Sequence, residues 1–85
     1  MVSFEHTLTD PLGLHARPAG LLVKEAKKFQ SKITIHFGTQ SAEAQRMMAV
    51  MRLGTKQGDT IIVTAEGEDE DEALLALREF FADNL

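Results

Sequence analysis

Hydrophobic and polar residues alternate along two stretches of the chain, residues 2–8 and 32–37. A period of two predicts a β-strand that buries one face and exposes the other. Residues 60–66 are the run richest in strand-forming side chains and predict a third strand. Gly38 turns the chain into a short, weaker strand at Gln40–Glu43, which is expected to pair as a hairpin.

Between these strands the apolar spacing becomes helical. From about residue 16, apolar side chains recur as one buried stripe, formed by Ala19, Leu22, Val23, Ala26 and Phe29. Residues 46–54 predict a short helix that ends at Gly54. The last segment opens with an acidic cluster, Glu66 to Glu72, which suits the positive end of a helix dipole. Its apolar stripe follows at Leu74, Leu77, Phe81 and Leu85.

The predicted order of elements is β-α-β-β-α-β-α. Strands with one apolar face are typical of an antiparallel sheet that is covered on one side. We therefore predict the α+β class, as an open-faced β-sandwich in which three helices cover one face of a four-stranded antiparallel sheet. Residues 1–85 are expected to form a single domain. A chain of this size buries only about 60% of its unfolded surface, which favours chemistry at the surface.

Composition and charge exclude several classes of protein. The chain has no cysteine and no apolar run near the length of a membrane span, and its first ten residues lack the form of a secretion signal. We expect a cytoplasmic protein that does not enter a membrane. The net charge of −4 argues against a partner made of nucleic acid. For the acidic cluster, dipole complementarity and solubility are a sufficient explanation.

His15 stands where the first helix should begin, between a glycine turn and Pro18, although the proline taken alone would favour an N-cap at Arg17. The first N–H groups of a helix lack internal acceptors and, with the dipole, form an anion site. An unperturbed imidazole has a pKa of about 6.5, so it is mostly a neutral nucleophile at pH 7. Arg17 adds a guanidinium suited to phosphate oxygens. Together these groups indicate phosphoryl transfer.

The same spacing has a simpler interpretation, in which His15 only caps a helix and Arg17 is a solvated surface residue. The other two histidines do not complete a metal site. His6 is expected to be a hydrogen-bonded core residue, and His36 is expected to point outward. We expect neither a metal nor another cofactor.

The motif GLHARPAG, from Gly13 to Gly20, resembles the active-site signature of the HPr family. These proteins are the histidine-containing phosphocarriers of the bacterial phosphoenolpyruvate:sugar phosphotransferase system. The resemblance continues through MMAVMRLG at 47–54 and TIIVTAEGEDE to the closing helix, so it covers essentially the whole chain. It implies the open-faced sandwich with four strands and three helices.

The resemblance also implies the site and the partners. His15 would accept a phosphoryl group on Nδ1 from phosphorylated enzyme I and pass it to a histidine of a sugar-specific IIA domain. Arg17 would assist the transfer, and the backbone amides of Ala16 and Arg17 would hold the phosphate. Such a protein is a covalent carrier rather than an enzyme that converts a small molecule, and it is expected to be a monomer.

One position departs from many Gram-positive members of the family, in which a regulatory serine begins the second helix. Here that position is Arg46, which has no hydroxyl and places positive charge at the positive end of a helix. Regulation by phosphorylation there is therefore in doubt, and Ser41 is not an obvious substitute. Sugar transport does not depend on this serine.

A docking surface is predicted around His15. It combines an accessible backbone, apolar side chains that repack easily and a positive frame, and its members are Gly20, Leu21, Lys24, Met47, Met48, Met51 and Arg52. Each methionine has an alternative interpretation as a filler of the core. Basic residues that frame this surface could steer an acidic partner, although a solvated helix face would have the same composition. These residues are Lys24, Lys27, Lys28, Arg46 and Arg52.

Two other functions remain open from the sequence. The same site would serve a regulatory phosphorelay of the nitrogen type, which controls metabolism rather than sugar uptake. A small α+β binding module in which His15 only caps a helix is the third possibility.

Overall fold

The computed structural model describes all 85 residues of the chain. Its elements follow the predicted order β-α-β-β-α-β-α. The strands are β1 (Val2–Thr7), β2 (Lys32–Phe37), β3 (Gln40–Glu43) and β4 (Thr60–Glu66). The helices are α1 (Ala16–Ala26), α2 (Met47–Arg52) and α3 (Glu70–Asn84).

The four strands form one antiparallel sheet in the order β1-β4-β2-β3. β4 lies between β1 and β2, so that Val63 pairs with Phe4 on one side and with Ile35 on the other. Alternate residues of β4 are buried, at Ile61, Val63 and Ala65. The three helices close the apolar side of the sheet, which confirms the predicted open-faced α+β sandwich.

The core lies between the sheet and the helices. Leu22 of α1 and Leu77 and Phe81 of α3 are fully buried in it. The Phe81 and Phe4 rings pack in a T-shaped arrangement at a centroid distance of 6.0 Å, which anchors α3 on β1. α1 contacts both other helices. Packing on two other helices thereby holds α1 in place, although the residue that begins it is near the surface.

His6 differs from its expected state. It points toward the helices, and its ring lies 5.4 Å from that of Phe81. Its Nε2 atom is buried but has no hydrogen-bond partner. The prediction of a hydrogen-bonded core histidine is therefore wrong, because the neighbours that the inner face supplies are aromatic and aliphatic. An unpaired buried nitrogen destabilises the fold.

The acidic cluster is also more than a solubilising run. Glu66 ends β4, and α3 begins only after Asp69. The Asp69 carboxylate accepts hydrogen bonds from the Ser31 hydroxyl, from the Ser31 N–H at 2.9 Å and from the Gln30 N–H at 2.9 Å. The Ser31 hydroxyl, followed by the Gln30 N–H, holds the pKa of Asp69 below its ordinary value of 3.8. Helix-dipole complementarity and solubility are therefore not a sufficient explanation for Asp69. Its hydrogen bonds connect the start of α3 to the start of β2.

Candidate functional site

His15 is the residue that begins α1. Its backbone is extended, with φ −84° and ψ −176°, and its carbonyl accepts the first helical hydrogen bond, from the Ala19 N–H at 2.9 Å. The N–H groups of Ala16 and Arg17 have no acceptor within the chain. Pro18 is the third helical residue, where its missing N–H removes no bond. Two free N–H groups therefore follow the imidazole in the chain.

The turn before His15 is fixed against a distant loop. Gly13 has φ +63°, and a Cβ added there would overlap the carbonyl oxygen of Thr55. The next residue, Leu14, is buried and donates its N–H to the Thr55 hydroxyl at 3.2 Å. Only glycine allows both the left-handed turn and this close approach. The position of His15 is thus set by the residues on both sides of it.

The imidazole of His15 is partly accessible, with 31% of its side chain exposed. Its Nε2 atom lies 3.4 Å from Oδ1 of Asp10, and the carboxylate is also partly exposed. The same Oδ1 accepts a hydrogen bond from the Leu12 N–H at 2.8 Å. The ring is therefore accessible from solvent, and rotating it would break its contact with Asp10.

A shallow depression of about 260 Å³ opens beside the ring, where the start of α1 meets the end of α3. His15 and Arg17 line it together. The other lining residues are Asp10, Pro18, Leu21, Asp83 and Asn84. Arg17 makes no ion pair within the chain, so its guanidinium is available to an anion. Asp10, Asp83 and Asn84 are not among the predicted site residues, and of the three only Asp10 lies close to the motif in the sequence.

The apolar members of the predicted docking surface divide by exposure. Leu21, Met47 and Met48 are exposed, at 44%, 37% and 64% respectively. Met51 is only partly exposed and packs against the core. Gly20 faces Met47, since a Cβ on the glycine would lie 3.9 Å from the methionine Cε. The structure thus brings α1 and α2 into contact and leaves Met47 and Met48 uncovered.

The basic members of the surface are accessible. Lys24, Arg46 and Arg52 are exposed and make no ion pair within the chain. Arg46 is the residue before α2, as predicted, and its side chain makes no capping hydrogen bond. Lys28 differs, because it pairs with Glu25 at 3.0 Å.

The remaining candidate groups lie elsewhere. His36 is on the outer side of β2, and its Nε2 bonds to the Thr64 hydroxyl at 3.1 Å. No three His, Asp or Glu side chains converge in a geometry that would hold a metal ion. None of the three helices combines the length and the apolar character that crossing a membrane requires.

Known proteins resemble this chain along nearly its whole length. The family model described as PTS HPr component phosphorylation site matches residues 2–83. The phosphocarrier protein HPr of Mycoplasma capricolum is 41% identical over 83 residues, which are 98% of this chain and 93% of that protein. The phosphocarrier protein HPr of Buchnera aphidicola is 48% identical over 67 residues, 79% of each chain.

The solved structure of a phosphocarrier protein is similar to this chain as well. The histidine-containing phosphocarrier protein of a mycoplasma superposes with a TM-score of 0.93 at 40% sequence identity. The superposition covers 96% of this chain and 93% of that one. With the histidine at the start of α1, the open-faced sandwich and these likenesses in sequence and structure, the chain belongs to the HPr family of phosphocarrier proteins.

Proposed function

We propose that this protein carries a phosphoryl group on His15 between two proteins of the phosphoenolpyruvate:sugar phosphotransferase system. The donor is phosphorylated enzyme I, and the acceptor is a histidine of a IIA domain during sugar uptake. One observation carries the proposal: a partly exposed imidazole begins α1, and the next two N–H groups of the chain have no acceptor. The family of the chain supports the choice of partners.

The chemistry uses the Nδ1 atom of His15. The Nδ1 lone pair attacks phosphorus and forms a new N–P bond, while the N–P bond of the donor breaks and its electron pair stays on the donor nitrogen. The free N–H groups of Ala16 and Arg17 hold the phosphoryl oxygens, assisted by the positive end of the helix dipole. The reverse exchange with an acceptor imidazole follows the same path, so nothing is consumed at His15.

Arg17 stabilises the charge on the transferring group. Its guanidinium lines the depression with His15 and is not neutralised by a carboxylate of the chain. An oriented cation acts most strongly where the phosphoryl group is in transit, because charge is then spread over the phosphoryl oxygens. The residue is thus expected to affect the rate of transfer more than the folding of the protein.

Docking uses the exposed apolar residues of α1 and α2. Leu21, which lines the depression, and Met48 of α2 present exposed apolar side chains, and methionine adapts to partners of different shape. Lys24 and Arg52 add unpaired positive charge around them, which favours an acidic partner surface and speeds encounter. A hydroxyl is absent at position 46, so we propose no serine-dependent regulation there.

The deciding experiment is incubation with enzyme I and phosphoenolpyruvate, followed by measurement of the intact mass. We expect one added phosphoryl group, which is lost in mild acid as a phosphoramidate should be. The His15→Gln variant should gain none, whereas the His36→Gln variant should behave like the parent. The absence of a mass increase, or an increase in His15→Gln, would overturn the proposal.

The contribution of Arg17 is tested by transfer kinetics. Arg17→Ala should slow transfer by at least about tenfold, less than the hundredfold or larger loss seen when an enclosed donor is removed. Lys32→Ala is the control, because this exposed cation lies on β2, outside both the depression and the docking surface. Unaltered kinetics in Arg17→Ala would remove the residue from the mechanism.

A further inference from the structure

Asp10 is held in place by the backbone around it. Its carbonyl accepts the Gly13 N–H at 3.0 Å, and its own N–H donates to the Leu85 backbone oxygen at 3.2 Å. Its Oδ1 accepts the Leu12 N–H at 2.8 Å, which closes a turn typical of aspartate. The carboxylate therefore has a defined position next to the active histidine and is not a freely moving surface group.

The carboxylate faces one particular nitrogen of His15. Oδ1 lies 3.4 Å from Nε2, and this is the one polar contact that the imidazole makes within the chain. A carboxylate attracts an N–H group and repels a lone pair, so this contact favours the proton on the nitrogen that faces Asp10. In the neutral ring the lone pair is then on Nδ1.

We propose that Asp10 is a positioning residue that keeps the proton of His15 on Nε2 and thereby presents Nδ1 as the nucleophile. This proposal rests on the function proposed for His15. It assigns the choice between the two ring nitrogens to Asp10, which lies outside the GLHARPAG motif. It also gives Asp10 a second effect. When Nδ1 bonds to phosphorus, the proton stays on Nε2 and the ring becomes positively charged, and the adjacent carboxylate stabilises that charge.

A second carboxylate in the depression, Asp83, provides a control for Asp10. Asp83 lines the same space but lies outside ion-pair distance of the His15 ring. Removing its charge leaves the contact between Asp10 and the imidazole in place. Asp10→Ser provides the matching change at Asp10, because a serine hydroxyl still accepts the N–H two residues ahead but is too short to reach the imidazole.

The first test needs no partner protein. Ring nitrogen-15 shifts, measured above the titration range of the imidazole, report which nitrogen of His15 carries the proton. We expect the Nε2–H form to predominate in the parent and in Asp83→Asn. In Asp10→Ser the ratio of Nε2–H to Nδ1–H should fall about two- to fivefold, the range for a partly solvated pair. An Nδ1–H ring in the parent, or an unchanged ratio in Asp10→Ser, would overturn the proposal.

The second test uses phosphoramidate as a small phosphoryl donor, whose N–P bond breaks as ammonia leaves. Phosphorus and nitrogen NMR distinguish the two isomers of phosphohistidine. We expect Nδ1 to be modified in the parent, and its rate of modification to fall about two- to fivefold in Asp10→Ser and to stay unchanged in Asp83→Asn. The difference between parent and Asp10→Ser should shrink in high salt, because salt screens the pair. A purely structural effect of the turn would leave no such salt dependence and would count against the proposal.

Asp10→Asn keeps the proposal testable if the serine variant does not fold, since asparagine preserves the turn and removes only the charge. The same slower modification is expected, and a rate equal to that of the parent would contradict the charge-stabilising effect. Failure of transfer from enzyme I with normal tautomer and phosphoramidate results would instead reject the proposed partners and leave the assignment of Asp10 intact.

Discussion

Asp69 and Ser31 are 38 residues apart in the chain, yet the carboxylate of one accepts hydrogen bonds from both the hydroxyl and the N–H of the other. This contact joins the residue before α3 to the residue before β2. A Cβ at Gly67 would lie only 2.8 Å from the Ser31 Cα, so a close-packed turn surrounds the contact. The pair therefore fixes how the last helix sits on the sheet.

Asp69→Asn should lower stability in a way that depends on pH. The folded pKa of Asp69 lies below its ordinary value of 3.8, so the unfolded chain binds the proton more readily. The stabilisation is complete above pH 3.8 and is lost as the pH falls through the folded pKa. The variant should melt below the parent at pH 6, and the difference should narrow on acidification below pH 3.8.

Asp71→Asn is the control for that measurement, because Asp71 is an exposed carboxylate in the first turn of the same helix with no bonded partner. This variant loses only the interaction of an exposed carboxylate with the helix dipole, so its melting temperature at pH 6 should fall much less than that of Asp69→Asn. A difference between Asp69→Asn and the parent that stays constant down to pH 2 would show that the charge of Asp69 is not responsible.

Gly13→Ala should be more destabilising than Gly38→Ala. The two glycines have nearly the same φ, +63° and +61°, so each substitution bears a left-handed penalty of about 1–2 kcal/mol. A Cβ at Gly38 meets nothing within 4 Å, whereas one at Gly13 overlaps the Thr55 carbonyl. Overlap in a packed region adds at least about 1 kcal/mol.

Urea unfolding measures both free energies. In Gly13→Ala the turn before His15 must shift, and the rate of phosphoryl transfer should fall with it. Equal free energies of unfolding for the two variants would show that the approach of Gly13 to Thr55 does not constrain the fold.

His6→Val should leave stability unchanged or raise it by up to about 1 kcal/mol. Removing an unpaired buried nitrogen recovers about 1–3 kcal/mol, and losing the contact of the ring with Phe81 costs about 0.5–1.5 kcal/mol. Valine is also well suited to a strand. Thermal unfolding should show a midpoint at or above that of the parent.

The comparison for this variant is His36→Val, which removes a ring that bonds to Thr64 on the outer face of the sheet. It should not raise the melting temperature. A clear loss of stability in His6→Val would mean that the aromatic contact of His6 outweighs its unpaired nitrogen.

Met48→Glu and Met51→Glu should separate docking from folding. Met48 is 64% exposed in the first turn of α2, where a carboxylate is compatible with the helix dipole. The free energy of unfolding of the Met48→Glu variant should differ from that of the parent by less than about 0.5 kcal/mol. Binding to enzyme I and to a IIA domain should weaken about tenfold, as for a central interface residue.

Met51→Glu should instead lower the free energy of unfolding by about 1–3 kcal/mol, because the side chain packs against the core and a carboxylate there loses solvation. Calorimetric binding and urea unfolding of both variants test the pair. Unfolding of Met48→Glu at ordinary temperature would place that methionine in the core and remove it from the docking surface.

Local patterns were sufficient for the architecture. The alternation in residues 2–8 and 32–37, the stripe from Ala19 to Phe29 and the glycine at position 54 predicted the elements, and their order predicted the sheet covered by helices. Such patterns work because the periods of a strand and a helix are properties of the backbone, and burial needs one apolar face. The chemistry of helix ends predicted the start of α1 only to within a residue or two, at His15 or Arg17, and the structure places the N-cap at His15.

The sequence by itself determined that His15, Arg17 and two free N–H groups stand together, because they are neighbours in the chain. Only the tertiary structure decided that Asp10 faces Nε2, that Asp83 lines the same depression, that Asp69 binds Ser31 and that His6 has no partner. The strand order β1-β4-β2-β3 and the packing of α3 on the sheet bring the contacting groups together. The same packing surrounds His6 with side chains that cannot form a hydrogen bond with it. A one-dimensional pattern records which face a residue occupies but not which distant residue meets it there.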